Sequence, residues 1–577
     1  MRQRIAALLQ EAIANLVVAR RLPADLPSPE LARPRQEGHG DFSTNFPLVA
    51  AKVVGRTPRV LAADIQGALG RSPWIERVEI AGPGFLNFFV ADSALLGLIP
   101  EILTQAEHYG ELPRKSTKIL LEFVSANPNG PLHVGHGRGA AYGDSLGRVL
   151  SCAGYDVERE YYVNDAGRQM DILALSVWLR YMEAAGEVLV FPETGYRGAY
   201  VRDIARGLRH KVGEALQRTL SDIFIENNDL DPDALTDARI ERLKAALGPQ
   251  YRDLHGFGLE AMLSDIEDDL KAFGVHYDRW YSERALLESG AIERVLDRLR
   301  ANGDLYEEGG AQWFRATRYG DEKDRVVVRE NQVTTYFASD IAYHLEKYER
   351  GFDGLIDVWG ADHHGYIPRV MGALTALGLR PDRLQVLLVQ FAILYRGGVR
   401  AQMSTRSGDF VTLRELRAEV GNDAARFFYV LRKSEQHMDF DLDLAKSQSN
   451  ENPVYYVQYA HARIMSVFRQ LEERGLSRGD LARCDLSLLT APEESVLIRT
   501  LGRYTEVIED AATAREPHQI AYYVRELASN VHAYYNAQTF LSAPAGVREA
   551  RLALIGAARH VLANGLRLLG VSAPEAM

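Results

Sequence analysis

One stretch constrains this chain more than any other: Glu122-Phe-Val-Ser-Ala-Asn-Pro-Asn-Gly-Pro-Leu-His-Val-Gly-His136. The apolar run Ile119 to Val124 predicts a strand, and a Pro/Gly turn follows it. His133-x-Gly-His136 then opens a helix of small residues, Gly137-Arg-Gly-Ala-Ala-Tyr142. Nucleotide sites at the carboxyl end of a parallel strand are built this way. The start of such a helix offers free N–H groups and the positive end of its dipole to phosphate. Gly135, Gly137 and Gly139 would let the backbone approach a ligand closely. His133 and His136 lie three apart, so both rings can point to one side of the first turn. There they can donate hydrogen bonds to phosphate oxygens as a phosphoryl bond breaks.

The chain has 577 residues, enough for about three to four domains. Its 46% hydrophobic and 25% charged content fits a soluble globular protein. No apolar run reaches the length of a bilayer span; Leu384 to Leu394 is short and broken by Gln390. The N-terminal Met1-Arg-Gln-Arg-Ile lacks a signal core and continues as an amphipathic helix. Two distant cysteines, Cys152 and Cys484, exclude a disulfide framework and a Cys-rich zinc site, and point to the reducing cytoplasm. A net charge of -11 argues at first against a nucleic-acid partner. The acidity sits mostly in the middle of the chain, however, and from Lys446 onward cations and anions balance. Phosphate contacts need local basic surface, not global positive charge.

Three parts are expected. Residues 1–112 form an α/β module, with a helix at Phe46 to Val54 preceded by the candidate caps Ser43, Thr44 and Asn45. It also holds a hairpin, Trp74 to Ile80 and Phe85 to Val90, around Ala81-Gly-Pro-Gly84. Residues 113–440 alternate strands and helices, which means a doubly wound, Rossmann-like parallel α/β sheet. Candidate strands are Ile119–Val124, Val157–Val163, Leu355–Trp359 and Leu384–Leu388, and a polar, helical insertion spans about 190–270. After about Asp423 the pattern turns nearly all helical, giving a C-terminal bundle over 441–577.

His133-x-Gly-His136 resembles the signature of class I aminoacyl-tRNA synthetases, and the twelve residues Ser125 to His136 resemble the arginyl-tRNA synthetase family. Tyr336-Phe-Ala-Ser-Asp340, Gly421-Asn-Asp-Ala-Ala-Arg426, Asp439 to Asp443 and Asn450 to Arg463 extend the resemblance along the chain. It implies a ligase that activates L-arginine with Mg2+-bound ATP and transfers it to the 3′ end of tRNA, without zinc, as a cytoplasmic monomer away from membranes. The implied arginine-binding residues are Glu122, Ser125, Asn127, Tyr336, Asp340 and His363. Glu122 and Asp340 would grip the guanidinium from two sides, with Tyr336 adding a hydrogen bond or a ring face. The implied ATP-binding residues are His133, Gly135, His136, Gly139, Asp362 and Met403. tRNA would meet Asn45 in the N-terminal module and Tyr455, Tyr459 and Arg463 in the bundle, where Tyr and Arg can stack on splayed bases.

The second class I signature departs from its usual form. Gln402-Met-Ser-Thr-Arg-Ser-Gly408 carries Gln402 and Thr405 where the family's mobile loop has lysines. Some members compensate with a lysine just before the first signature, but Gly130 stands there. Ser404 and Arg406 are left as the loop's catalytic candidates, with Arg406 supplying charge. Residues alone also admit a metal site at Asp362-His-His364 with His133 and His136, a small-molecule adenylyltransferase, or a non-catalytic tRNA-binding paralogue.

Overall fold

The computed structural model describes residues 1–34, 38–224, 231–401 and 411–577. Its centre is a sheet of five parallel strands: β1 (Lys118–Phe123), β2 (Asp156–Val163), β3 (Arg279–Ser282), β4 (Gly354–Gly360) and β5 (Leu384–Val389). Their spatial order is β5-β4-β1-β2-β3. The chain runs outward from β1 to β3, returns to lay β4 on the other side of β1, and ends at β5. The order therefore reverses between β1 and β4, and the crevice outside their carboxyl ends is where an open α/β sheet binds ligands. β1 is buried from Ile119 to Phe123, which explains its nearly continuous apolar run.

Helix α1 (Val134–Cys152) links β1 to β2 and packs closely on the sheet. Gly143 makes that approach possible: a Cβ there would lie 2.3 Å from the Phe123 ring. Helix α2 (Tyr336–Glu349) precedes β4 and carries much of the site described below.

The N-terminal module holds a helix at Arg2–Val18, the expected helix at Phe46–Val54 and the expected hairpin, Ile75–Ala81 with Phe85–Val90. The C-terminal part stacks the long helices Pro453–Glu473, His518–Ala537 and Ala545–Leu568. Three features depart from expectation. Met438–Asp441 is a strand, parallel to Ala392–Arg396, inside the stretch read as helical; alternate burial of Met438 and Phe440 gives it a period of two. β3 is only four residues long, too short for periodicity to reveal. The insertion's helices share a core with Arg168–Ala184, so this packed unit reaches back beyond residue 190.

Fully buried Arg426 ties the ends of the molecule together. Its guanidinium donates to the carbonyl oxygens of Leu569 (2.9 Å) and Phe273 (3.0 Å) and to Asp144 of α1 (2.5 Å).

Candidate functional site at the carboxyl edge of the sheet

Where β1 ends, Val124 (φ +69) and Ser125 (φ +41) take left-handed backbone. Such conformations cost about 1–3 kcal/mol each in non-glycine residues and persist where surrounding contacts hold them. Here Ser125 Oγ donates to Glu122 Oε1 at 2.8 Å and accepts the Tyr162 N–H at 3.0 Å. The turn thus leaves the sheet by folding back on the acid that precedes it.

Further along, His133 is the N-cap of α1, and the two signature imidazoles satisfy the helix start reciprocally. Gly135 N–H donates to His133 Nδ1 at 3.0 Å, and His133 N–H donates to His136 Nδ1 at 3.3 Å. The rings stack with centroids 3.7 Å apart. A Cβ at Gly135 would lie 2.8 Å from the His133 ring, so glycine is what lets that ring fold back. Because each Nδ1 accepts, each neutral ring carries its proton on Nε2. Burial lowers both pKa values, His136 to about 3, with the neighbouring His133 adding to the effect. The pair is therefore two neutral donors, suited to bond phosphate oxygens without bringing charge.

Two cavities meet here. The larger, about 760 Å³, is lined by His133, Gly135, His136, Asn127, Gln169, Tyr336, Asp362 and Phe391 among others. The smaller, about 240 Å³, goes deeper and is lined by Glu122, Tyr162, Tyr343, His344, Trp359 and Tyr366. Val124, Ser125, Asn164, Asp340, Gly360 and His363 belong to both. Asp340 accepts a hydrogen bond from Tyr366, and burial raises its carboxyl. Tyr336, 57% exposed, stands at the rim one turn before Asp340. Asp362 and His363 are exposed on the opposite wall.

The structure thus brings together Glu122, Ser125, Asn127, His133, Gly135, His136, Tyr336, Asp340, Asp362 and His363. Gly139 is not brought in: it sits one turn further along α1, outside the lining. Gly137 serves packing instead, because a Cβ there would meet the side chains of Leu413 and Tyr429. Glu122 is held from below, its Oε2 lying 2.5 Å from Lys347 Nζ. Met403, Ser404 and Arg406, with Gln402 and Thr405, lie outside the described residues. Among the described residues, no three His, Cys, Asp or Glu side chains gather to hold a metal ion.

Sequence reasoning missed Gln169, Tyr343 and His344 of the lining, and also the charged residue Glu283. It follows β3, is buried, and lines the larger cavity with Asp340. Burial, with Asp340 and Asp165 nearby, raises its carboxyl to about 7. Its only sequence signal is an acid just past a strand too short to recognise.

Away from the crevice, Asn45 is exposed at the N-cap of its helix, where Thr44 Oγ1 rather than Asn45 receives the Phe46 N–H. Tyr455 and Tyr459 stack at 5.8 Å, and the Arg463 guanidinium lies 5.0 Å from the Tyr459 ring. Tyr456 turns instead against His532.

Comparison with known proteins accords with this arrangement. The chain matches the arginyl-tRNA synthetase N-terminal domain over residues 3–90 and the class I (R) tRNA synthetase catalytic domain over 98–194 and 266–447. It matches the DALR anticodon binding domain over 457–577. Arginine–tRNA ligases of Halorhodospira halophila and Thioalkalivibrio sulfidiphilus are each 56% identical to it over 100% of both chains. The Thermus thermophilus arginyl-tRNA synthetase structure superposes with a TM-score of 0.75 at 25% identity, covering 100% of each chain. A sheet with this switch point, a capped histidine pair and full-length matches of this strength have one explanation: the chain belongs to the arginyl-tRNA synthetase family of class I.

Proposed function

We propose that the two joined cavities activate L-arginine with ATP and pass it to the 3′ end of tRNA. The smaller pocket and the adjoining side of the larger cavity, at Asp340 and Glu283, take the arginine side chain, and the side at His133 and His136 takes the nucleotide. One observation carries this reading: a donor-lined cavity at a helix start opens directly into an acid-lined pocket, with Ser125 and Asp340 common to both. A guanidinium at the lip the two cavities share meets Asp340, with Glu283 and Tyr336 on the side of the larger cavity and Glu122 on that of the smaller. Asn127 and Ser125 face the α-amino and carboxylate end. That end lies toward His133 and His136, so the arginine carboxylate can attack the α-phosphorus while pyrophosphate leaves.

Most of the rate comes from positioning. The two Nε2–H donors stabilise charge on the transferring phosphoryl group. Gly135 leaves room for the nucleotide, and Asp362 and His363 form its far wall. Mg2+ enters with the ATP phosphates; Asp362 is the accessible carboxylate on that wall, in keeping with an ion that usually takes one or two carboxylates plus phosphate oxygens. Met403, Ser404 and Arg406, outside the described residues, act on ATP, Arg406 supplying the charge of the missing lysines. An Arg406→Ala variant with an unchanged activation rate would remove that role.

tRNA binds across residues 1–112 and 441–577, meeting Asn45 at one end and Tyr455, Tyr459 and Arg463 at the other. The protein works as a cytoplasmic monomer. The direct test is charging of tRNA with radiolabelled arginine by the purified chain. Pyrophosphate release that requires both arginine and tRNA supports the reading, because activation in this family usually needs bound tRNA. Release without dependence on arginine would overturn it.

A further inference from the structure

Three carboxylates stand side by side in the sheet. Asp357 of β4 pairs in register with Glu122 of β1, and Glu122 pairs with Glu160 of β2. All three are buried. Neighbouring strands lie only about 4.8 Å apart, so such a row of acids requires a counter-charge within reach.

Lys347 of α2, 0% exposed, meets that requirement. Its Nζ donates to Glu122 Oε2 at 2.5 Å and to Asp357 Oδ1 at 2.7 Å, and packs 4.3 Å from the centre of the Tyr343 ring. Tyr343 Oη lies 3.0 Å from Glu122 Oε2 and 2.7 Å from Glu160 Oε1. Arg350, beyond the end of the same helix, lies 2.6 Å from Glu160. Asp357 also faces His344 Nε2 at 3.0 Å. One helix therefore carries Tyr336 and Asp340 at its start and, two turns later, the ammonium under Glu122.

We propose that Lys347 is a positioning residue for arginine recognition: it pins the Glu122 carboxylate, and through it the Ser125 turn, leaving Asp340 and Glu283 as the acids open to a guanidinium. This rests on the reading of the deep pocket as the arginine side-chain pocket. The line of contact is continuous, from Lys347 Nζ to Glu122 Oε2 and from Glu122 Oε1 to Ser125 Oγ, at the lip both cavities share. Without the ammonium, Glu122 keeps Ser125 and Tyr343 but loses its charge partner, and the guanidinium becomes the nearest cation for the Glu122 and Asp357 carboxylates. Substrate then sits at the wrong depth, with its carboxylate displaced from the phosphoryl group.

The test uses the full chain in tRNA charging, with Lys347→Met, Lys347→Arg and Asp340→Asn beside the parent. Lys347→Met is expected to lower kcat/KM for arginine at least tenfold while KM for ATP moves less than twofold. Lys347→Arg is expected to return kcat/KM for arginine to within threefold of the parent. If Lys347→Met does not fold, Lys347→Met with Asp357→Asn removes one charge of each sign and should show the same arginine-selective loss. A folded single or double variant that handles arginine like the parent overturns the proposal. So does an equal loss toward arginine and ATP that Lys347→Arg fails to repair. Asp340→Asn reports separately: unchanged use of arginine by that variant would refute the pocket reading itself.

Discussion

On the proposed assignment of the cavities, the two ends of the crevice recognise charge by opposite means. At the nucleotide end the protein offers neutral groups, two imidazoles with lowered pKa values. The first N–H groups of α1, expected to meet phosphate, are already taken by the Val411 carbonyl, His133 Nδ1 and the His133 carbonyl. At the arginine end it concentrates acids, balances some of them with Lys347 and Arg350, and leaves Asp340 and Glu283 facing the cavity. The difference follows from the ligands. Triphosphate brings its own charge and cation, so directed neutral donors can serve on the buried wall, with further positive charge proposed only for Arg406. A guanidinium must be told from every neutral side chain, and an unpaired buried acid is what makes the wrong amino acid costly.

This contrast can be broken at several points. The largest effect is expected from Asp340→Asn, which should lower kcat/KM for arginine about 10³-fold, in line with the ~3–5 kcal/mol for removing one member of a buried charge pair. Steady-state charging at varied arginine checks it. Next comes His136→Ala, which should reduce kcat about 10²–10³-fold, as for loss of one preorganised donor. KM for arginine should move little; a loss confined to that KM would erase the division between the two ends.

Glu283→Gln should cost about tenfold in kcat/KM for arginine, the low end for a charge-assisted contact at about 1.4 kcal/mol per decade. It should also change the pH profile. The ionised carboxylate attracts the guanidinium, so kcat/KM in the parent should rise with pH through about 7, and the variant should lose that limb. Stability runs the other way. The folded carboxyl is raised, so the fold binds its proton more tightly than the unfolded chain does. Its stabilising contribution is present at low pH and lost as pH rises through about 7. The melting-temperature gain of Glu283→Gln over the parent should accordingly be larger at pH 8 than at pH 6. The smallest effect is expected at the exposed rim, where Tyr336→Phe should cost about fivefold, one ordinary hydrogen bond of about 1 kcal/mol.

Much of the nucleotide end was legible in the sequence because its parts are local. Strand, turn, capped histidines and helix occupy one continuous run, and spacing alone brings the two rings together. Four of the five sheet strands were legible: β1, β4 and β5 from apolar runs and β2 from its β-forming Tyr161, Tyr162 and Val163. The arginine end was legible only in part. Tyr336 and Asp340 were reached through the family resemblance, not through spacing alone, and the Tyr343 and Lys347 partners of Glu122 come from α2, more than two hundred residues away. Nothing local announces that Lys347 is buried; in sequence it is an ordinary lysine near a helix end. Glu283 was hidden behind an edge strand of four residues. Gly137 marks the opposite error, since glycine spacing alone cannot tell ligand approach from helix packing, and Gly139 faces open space outside the cavity lining.

Arg426 has a consequence for the order in which the molecule is made. Its three partners are spread across the chain at Asp144, Phe273 and Leu569. During synthesis the first two are made long before the third, so the full set of acceptors exists only once nearly all of the sequence up to Leu569 has been translated. Final closure around α1 therefore comes late, after the ribosome has supplied Leu569, and a chain halted before that point would lack the carbonyl that completes the cluster.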